Sequence, residues 1–199
     1  MNDLEYLPPY HVNCRCVAAY STKTVAKINV NFLSDLDNQY PMSSSIDDNI
    51  LMNISNYAGN NSSSINYALE SQGRGRYSKK DYSIGLNINN TIHNNGHKLL
   101  NNTTLWRGQD ELYIKNPRIG KEFVWNRIIS TSFSIEVGND FKRDGWLIEI
   151  LAPKNTKGLY IESISPNSLE YEYLLPINTK FKILSLDEIN KYIKIQLLY

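Results

Sequence analysis

Ser168-Leu169-Glu170-Tyr171-Glu172-Tyr173-Leu174-Leu175-Pro176 sets two glutamates one residue apart inside an apolar frame. Tyr171, Tyr173 and Leu175 alternate with Glu170, Glu172 and Leu174, which is the period of a β-strand. Side chains at i and i+2 of a strand share a face, roughly 6.5–7 Å apart along it. Two like charges on one face repel and are costly to bury. Either that face is open to solvent and the pair is incidental, or it lines a cleft where negative charge is wanted.

The rest of the chain narrows the choice. Its 199 residues suffice for one sizeable core. Lys and Arg number 21 against 20 Asp and Glu. That balance leaves no electrostatic footprint for nucleic acid or a membrane surface. No stretch approaches the roughly 18 apolar residues of a membrane span. Met1 to Glu5 is polar and acidic and leads into Pro8-Pro9, unlike a signal peptide. The two cysteines, Cys14 and Cys16, are too close for ordinary disulfide geometry. With His11 they form half of a metal site, whereas a closed zinc site needs four ligands. No metal is expected.

Upstream of the glutamates the chain changes character once. From about 24 to 100 the patterns are helical. Val25, Ile28, Phe32 and Leu33 follow helical spacing, as do Ile50, Leu51, Ile54 and Tyr57. Ser43 to Asp48 reads as a capped helix start, and Tyr57-Ala58-Gly59-Asn60 as its end. Ser62-Ser63-Ser64 opens another helix that Gly73 to Arg76 breaks, and a further one is expected over 84–100. From 101 the pattern turns to strands, expected at 104–107, 123–125, 128–133, 146–151, 158–161, 170–175, 181–186 and 192–198. Helices first and strands afterwards predict an α+β fold.

Three strand-borne elements stand in order along the second half. They are Leu105-Trp106-Arg107-Gly108, then Ile129-Ser130-Thr131-Ser132-Phe133, then Glu170-Tyr171-Glu172. Each alone is commonplace: Arg107 could be a surface ion-pair partner, Ser130 an ordinary strand hydroxyl and Glu172 a solvated residue. Together they resemble the mono-ADP-ribosyltransferase family in its Arg/Ser-Thr-Ser/Glu-x-Glu branch, which includes the bacterial binary toxins. Ile54 to Gly59 and Ile65-Asn66-Tyr67-Ala68-Leu69 resemble the helical segment that precedes the core in that family. Leu174-Leu175-Pro176 is also a family habit. The resemblance spans about 24–199. It implies N-terminal helices packed on a mixed β core of two sheets, with NAD as substrate.

The resemblance also implies roles, and the chemistry explains the residue types. A planar guanidinium matches diphosphate oxygens, which suits Arg107, with Gly108 permitting close approach. Cleaving the nicotinamide–ribose bond develops positive charge on the ribose, as in glycoside hydrolysis. Glu172 would stabilise it, held by Ser130 and flanked by Thr131 and Ser132. A guanidinium acceptor is always protonated, so a second carboxylate must orient it and help remove a proton. That is the implied role of Glu170, and a glutamate there points to arginine on a target protein. Phe141, in an expected loop rich in Gly138, Asn139 and Asp140, would stack on nicotinamide. Arg143 or Lys142 would meet the phosphates. Tyr57 and Asn66 either contact NAD or serve helix packing.

Two features depart from the family pattern. The segment 163–169 lacks the aromatic that many arginine-specific relatives present to their target. The Asn that precedes Ser-Thr-Ser in relatives is displaced to Asn126, with Arg127 intervening. Farther upstream, His11-Val12-Asn13-Cys14-Arg15-Cys16 resembles the signature closing phage Mu-type head morphogenesis domains, with Val12 where that family has Pro. It implies that 1–23 is an extended lead-in left from an upstream module, while the transferase resemblance makes 24–100 the helical part of its domain and 101–199 the NAD-binding core. The expected context is phage- or secretion-system delivery, action in the target-cell cytoplasm, and a cognate immunity protein as partner. The rival readings are an NAD glycohydrolase and a non-catalytic head-associated protein.

Overall fold

A computed structural model describes residues 30–74 and 78–198. The segment carrying His11, Cys14 and Cys16, and the boundary at residue 23, lie outside the described residues. Helix α1 (Val30–Gln39) comes first, followed by α2 (Asp48–Asn56). Asp47 caps α2 by accepting from the Asn49 N–H at 2.9 Å. The expected stop at Tyr57–Asn60 is not a stop. The chain winds through a π-helical turn, Tyr57–Asn61, straight into α3 (Ser62–Ser71). Such turns insert one residue and often mark functional sites. The α3 exit runs through left-handed Gln72 and Gly73, φ 55° and 69°.

Helix α4 (Lys79–Asn95) starts five residues earlier than expected, because Ser78 accepts from the Asp81 N–H at 2.9 Å and caps it. It also stops sooner. A Cβ on Gly96 would lie 2.3 Å from the Ile92 carbonyl oxygen and 2.5 Å from that of Gly158. Only glycine lets the chain turn there into strand β1 (His97–Lys98).

The remaining strands are β2 (Thr103–Gln109), β3 (Glu122–Trp125), β4 (Ile129–Ser132), β5 (Trp146–Ala152), β6 (Lys157–Tyr160), β7 (Glu172–Leu175), β8 (Thr179–Asp187) and β9 (Tyr192–Leu198). Helix α5 (Ile135–Lys142) lies between β4 and β5. The α+β class holds, but the expected two sheets do not. Among the described residues the strands form one mixed nine-stranded sheet, ordered β1-β6-β7-β4-β2-β5-β9-β8-β3. The seam explains the difference. β2 pairs with β5 over seven residues from Thr103 to Gln109, yet meets β4 at the single register pair Trp106↔Ser132. One narrow bridge joins two halves that would otherwise be separate.

Strand β7 is buried along its whole length, between two hydrophobic clusters. Tyr173 and Leu175 enter the cluster that joins Leu36 and Tyr40 to Leu105, Ile150, Phe181 and Ile195. Leu174 enters the other, with Ile54, Ile65, Ile88, Ile92 and Leu159. Strand parity puts Glu172 on the Leu174 side, where the helices lie.

Candidate active site

Arg107 is fixed before any ligand arrives. Its Nη1 donates to the Ser130 carbonyl at 2.7 Å and its Nε to Gln109 Oε1 at 3.0 Å. The Gly108 that follows has no room for a side chain: a Cβ would lie 2.1 Å from the Lys142 nitrogen and 2.2 Å from the Gly138 oxygen. Helix α5 therefore rests directly on the β2 backbone. Phe141, expected in a loop, sits instead in the last turn of α5, because Ser134 caps that helix by accepting from the Val137 N–H at 3.3 Å. Arg143 leaves the helix at φ 49° and lines the same cleft. Lys142 does not line it, its Nζ donating to the Asn190 carbonyl at 3.0 Å.

The three residues Ser130, Thr131 and Ser132 are all buried, yet only the outer two share a face with Glu172. Strand register puts Ser132, not Ser130, opposite Glu172, and Ser130 opposite Leu174. Thr131 spends its hydroxyl on the Tyr173 carbonyl at 2.6 Å. Ser132 Oγ donates to the Glu170 carbonyl at 2.6 Å and accepts from the Ser134 N–H at 3.0 Å. Glu172 is 2% exposed.

Glu170 is not on the strand. Tyr171, between the two glutamates, has φ 48°, so the regular alternation breaks before β7 begins. The same-face argument from the sequence therefore fails at that step. Both carboxylates nonetheless line one cleft, brought there by a bend rather than by strand period.

The helices close the opposite wall. Tyr57 donates its hydroxyl to the Ile128 carbonyl at 3.0 Å, Asn66 Nδ2 donates to Tyr57 Oη at 3.1 Å, and the Ile128 N–H donates to Asn66 Oδ1 at 3.0 Å. This closed triangle anchors the turn leading into β4. Both residues also line the cleft, so packing and cleft formation are one arrangement here.

The cleft opens to solvent and is lined by both polar and apolar groups. Arg107, Gly108, Ser130, Thr131, Ser132, Phe141, Arg143, Glu170, Glu172, Tyr57 and Asn66 all line it. Sequence reasoning missed several wall residues. Gln109 is 7% exposed and orients Arg107. Arg127 stacks over the Tyr113 ring at 4.6 Å and pairs with Glu70 at 2.5 Å, tying the β2–β3 loop to α3. The displaced Asn126 was the available signal: Arg127 lines the cleft and Asn126 does not. Among the described residues no cluster of His, Cys, Asp and Glu could hold a metal ion, and no helix is long and apolar enough to cross a membrane.

The architecture has solved counterparts. It is similar to Plx2a, an ADP-ribosyltransferase toxin from Paenibacillus larvae, with TM-score 0.69 and 21% identity, covering 86% of this chain and 98% of that one. It is similar to C3stau2 from S. aureus, whose structure was solved with NAD, at TM-score 0.67 and 18% identity, covering 85% and 95%. It is also similar to BECa, an ADP-ribosylating toxin of a C. perfringens binary enterotoxin solved with NADH, at TM-score 0.67 and 19% identity, covering 85% of this chain and 48% of that one. At such identities the likeness establishes the fold. No curated protein sequence matches this chain closely enough to serve as a relative. The family model for ADP-ribosyltransferase exoenzymes matches residues 37–198, nearly all of the described fold. This chain belongs to the ADP-ribosyltransferase exoenzyme family, whose substrate is NAD.

Proposed function

We propose that the chain is a mono-ADP-ribosyltransferase toxin domain that transfers ADP-ribose from NAD to an arginine of a target protein. The reading rests on one observation above the others: Arg107, Ser130, Glu170 and Glu172, far apart in sequence, open onto a single cleft. Arg107, with Arg143 nearby, would hold the diphosphate through forked N–H donors. Phe141, in the last turn of α5, offers a face for the nicotinamide ring.

In the reaction the bond between the nicotinamide nitrogen and ribose C1′ breaks, and its electron pair leaves with neutral nicotinamide. Positive charge develops on the ribose, and the buried Glu172 carboxylate stabilises it. Burial keeps water from that carboxylate, which strengthens the attraction. A guanidinium nitrogen of the acceptor then bonds C1′, and its proton passes to Glu170. Glu170 is only half-buried, which suits a group that must meet a second protein. By the same reading residues 24–199 form the transferase unit and 1–23 a lead-in. Its phage-type motif supports delivery by a phage or secretion system into a target cytoplasm, with an immunity protein as partner.

Incubation with labelled NAD and the arginine mimic agmatine tests this. Wild type should release nicotinamide and label agmatine. Glu172→Gln should lower both by about 10²–10³-fold, the scale of losing a preorganised electrostatic contact. Glu170→Gln should abolish labelling while nicotinamide release persists. A wild type that consumes NAD but labels no guanidine would favour the glycohydrolase, and one that consumes none would end the assignment.

A further inference from the structure

Glu170 sits on a bend that two bulky residues make at a cost. Leu169 before it has φ 68° and Tyr171 after it φ 48°, a region that side-chain-bearing residues enter only when their surroundings impose it. The imposing group is Glu162, at the start of the short 3₁₀ turn Glu162–Ile164. Its Oε1 accepts from the Leu169 N–H at 2.5 Å and its Oε2 from the Tyr171 N–H at 2.7 Å. Ser132 holds the Glu170 carbonyl between these points. The turn is itself registered to the site, because the Ile161 N–H donates to the Glu172 carbonyl at 3.0 Å.

We infer that Glu162 is a positioning residue for the acceptor step: its carboxylate grips the backbone on both sides of Glu170 and sets that side chain against Glu172. This deepens the proposed transfer reaction and rests on it. Glu162 does not line the cleft, so it acts through Glu170. Only an ionised carboxylate offers two acceptor oxygens of this kind. A glutamine would turn an N–H against one of the two backbone N–H groups. An aspartate is one methylene too short for both.

The surroundings argue that the charge is kept for this geometry and not for stability. Burial raises the Glu162 pKa above the ordinary glutamate value, and the charges of Asp37 on α1 and Glu172 on β7 raise it further. The two backbone bonds oppose that rise. Tyr160 on β6 and Tyr171, both held neutral, complete the groups that face it. As pH falls Glu162 protonates earlier than a free glutamate, one oxygen becomes a donor, and the grip on Glu170 is lost. Glu172, carried on a fully paired strand, keeps its place.

The test compares wild type, Glu162→Gln and Glu162→Asp in agmatine labelling, in NAD hydrolysis without acceptor, in KM for NAD and in melting temperature. Amide hydrogen exchange at Leu169 and Tyr171 is followed as well. Both variants should lose about tenfold or more in labelling while hydrolysis and KM stay within about twofold. The two amides should lose protection. Unchanged labelling, or labelling and hydrolysis falling by one common factor, overturns the inference. Wild type that turns over no NAD defeats the functional reading instead, and the exchange data still judge the grip. Should neither variant fold, the wild type decides: after correction for intrinsic rates, protection at these two amides should drop as Glu162 takes up its proton. Protection that holds overturns the proposal.

Discussion

Glu172, Ser130 and Arg107 stood out in the sequence as candidates because of the company they keep. A glutamate amid tyrosines and leucines, or an arginine closing an apolar strand, calls for an explanation that a core residue does not. Gln109, Arg127 and Glu162 carried no such mark. Each is an ordinary polar residue until the fold sets it against Arg107, Tyr113 or the Glu170 bend. Gly108 shows the same limit from the other side: its neighbours hinted at close approach, but not to what. Here the approach is to the α5 backbone, so Gly108→Ala should cost about 1–3 kcal/mol in unfolding by denaturant, the usual penalty of overpacking. It should also raise KM for NAD, since α5 carries Phe141. An alanine variant of wild-type stability would show that α5 shifts freely.

Element boundaries went wrong where a side chain or a tertiary neighbour outvoted local pattern. Ser78 moved the start of α4 upstream, and the pairing of His97 with Gly158 ended it early. A helix stop expected at Gly59 became a π turn, because continuing the helix let Tyr57 and Asn66 reach Ile128. The segment read as a Gly-rich loop around Phe141 became α5, through the Ser134 cap and its first-turn Glu136. That cap can be tested alone. Ser134→Ala should destabilise the protein by about 0.5–2 kcal/mol, the range for losing an N-cap hydroxyl. Circular dichroism should show little helix lost, since α5 is short. NAD affinity, read by calorimetry, should fall only modestly, because Ser134 caps the first turn and Phe141 and Arg143 sit at the opposite end of α5.

The two hydrophobic clusters lie on either side of β7: one takes Tyr173 and Leu175, the other seats Leu174 against α2, α3 and α4, and Glu172 lines the cleft. Stability should respond to pH in a way that follows. Glu162 has its folded pKa raised, so its ionised form costs the fold stability at neutral pH. That cost should disappear as pH falls from its raised value toward the ordinary one near 4.5. The unfolding free energy of wild type minus that of Glu162→Gln should therefore increase over that window. A constant difference would mean that Glu162 titrates normally. The α+β class, the helix-then-strand order and the candidate residue types for the proposed reaction followed from the chain itself, because periodicity and chemical type are local properties. The single sheet, the bend at Glu170 and the hydrogen bonds that aim Arg107 arose only on folding. Those depend on which backbone groups meet across tens of residues, and no local pattern encodes that meeting.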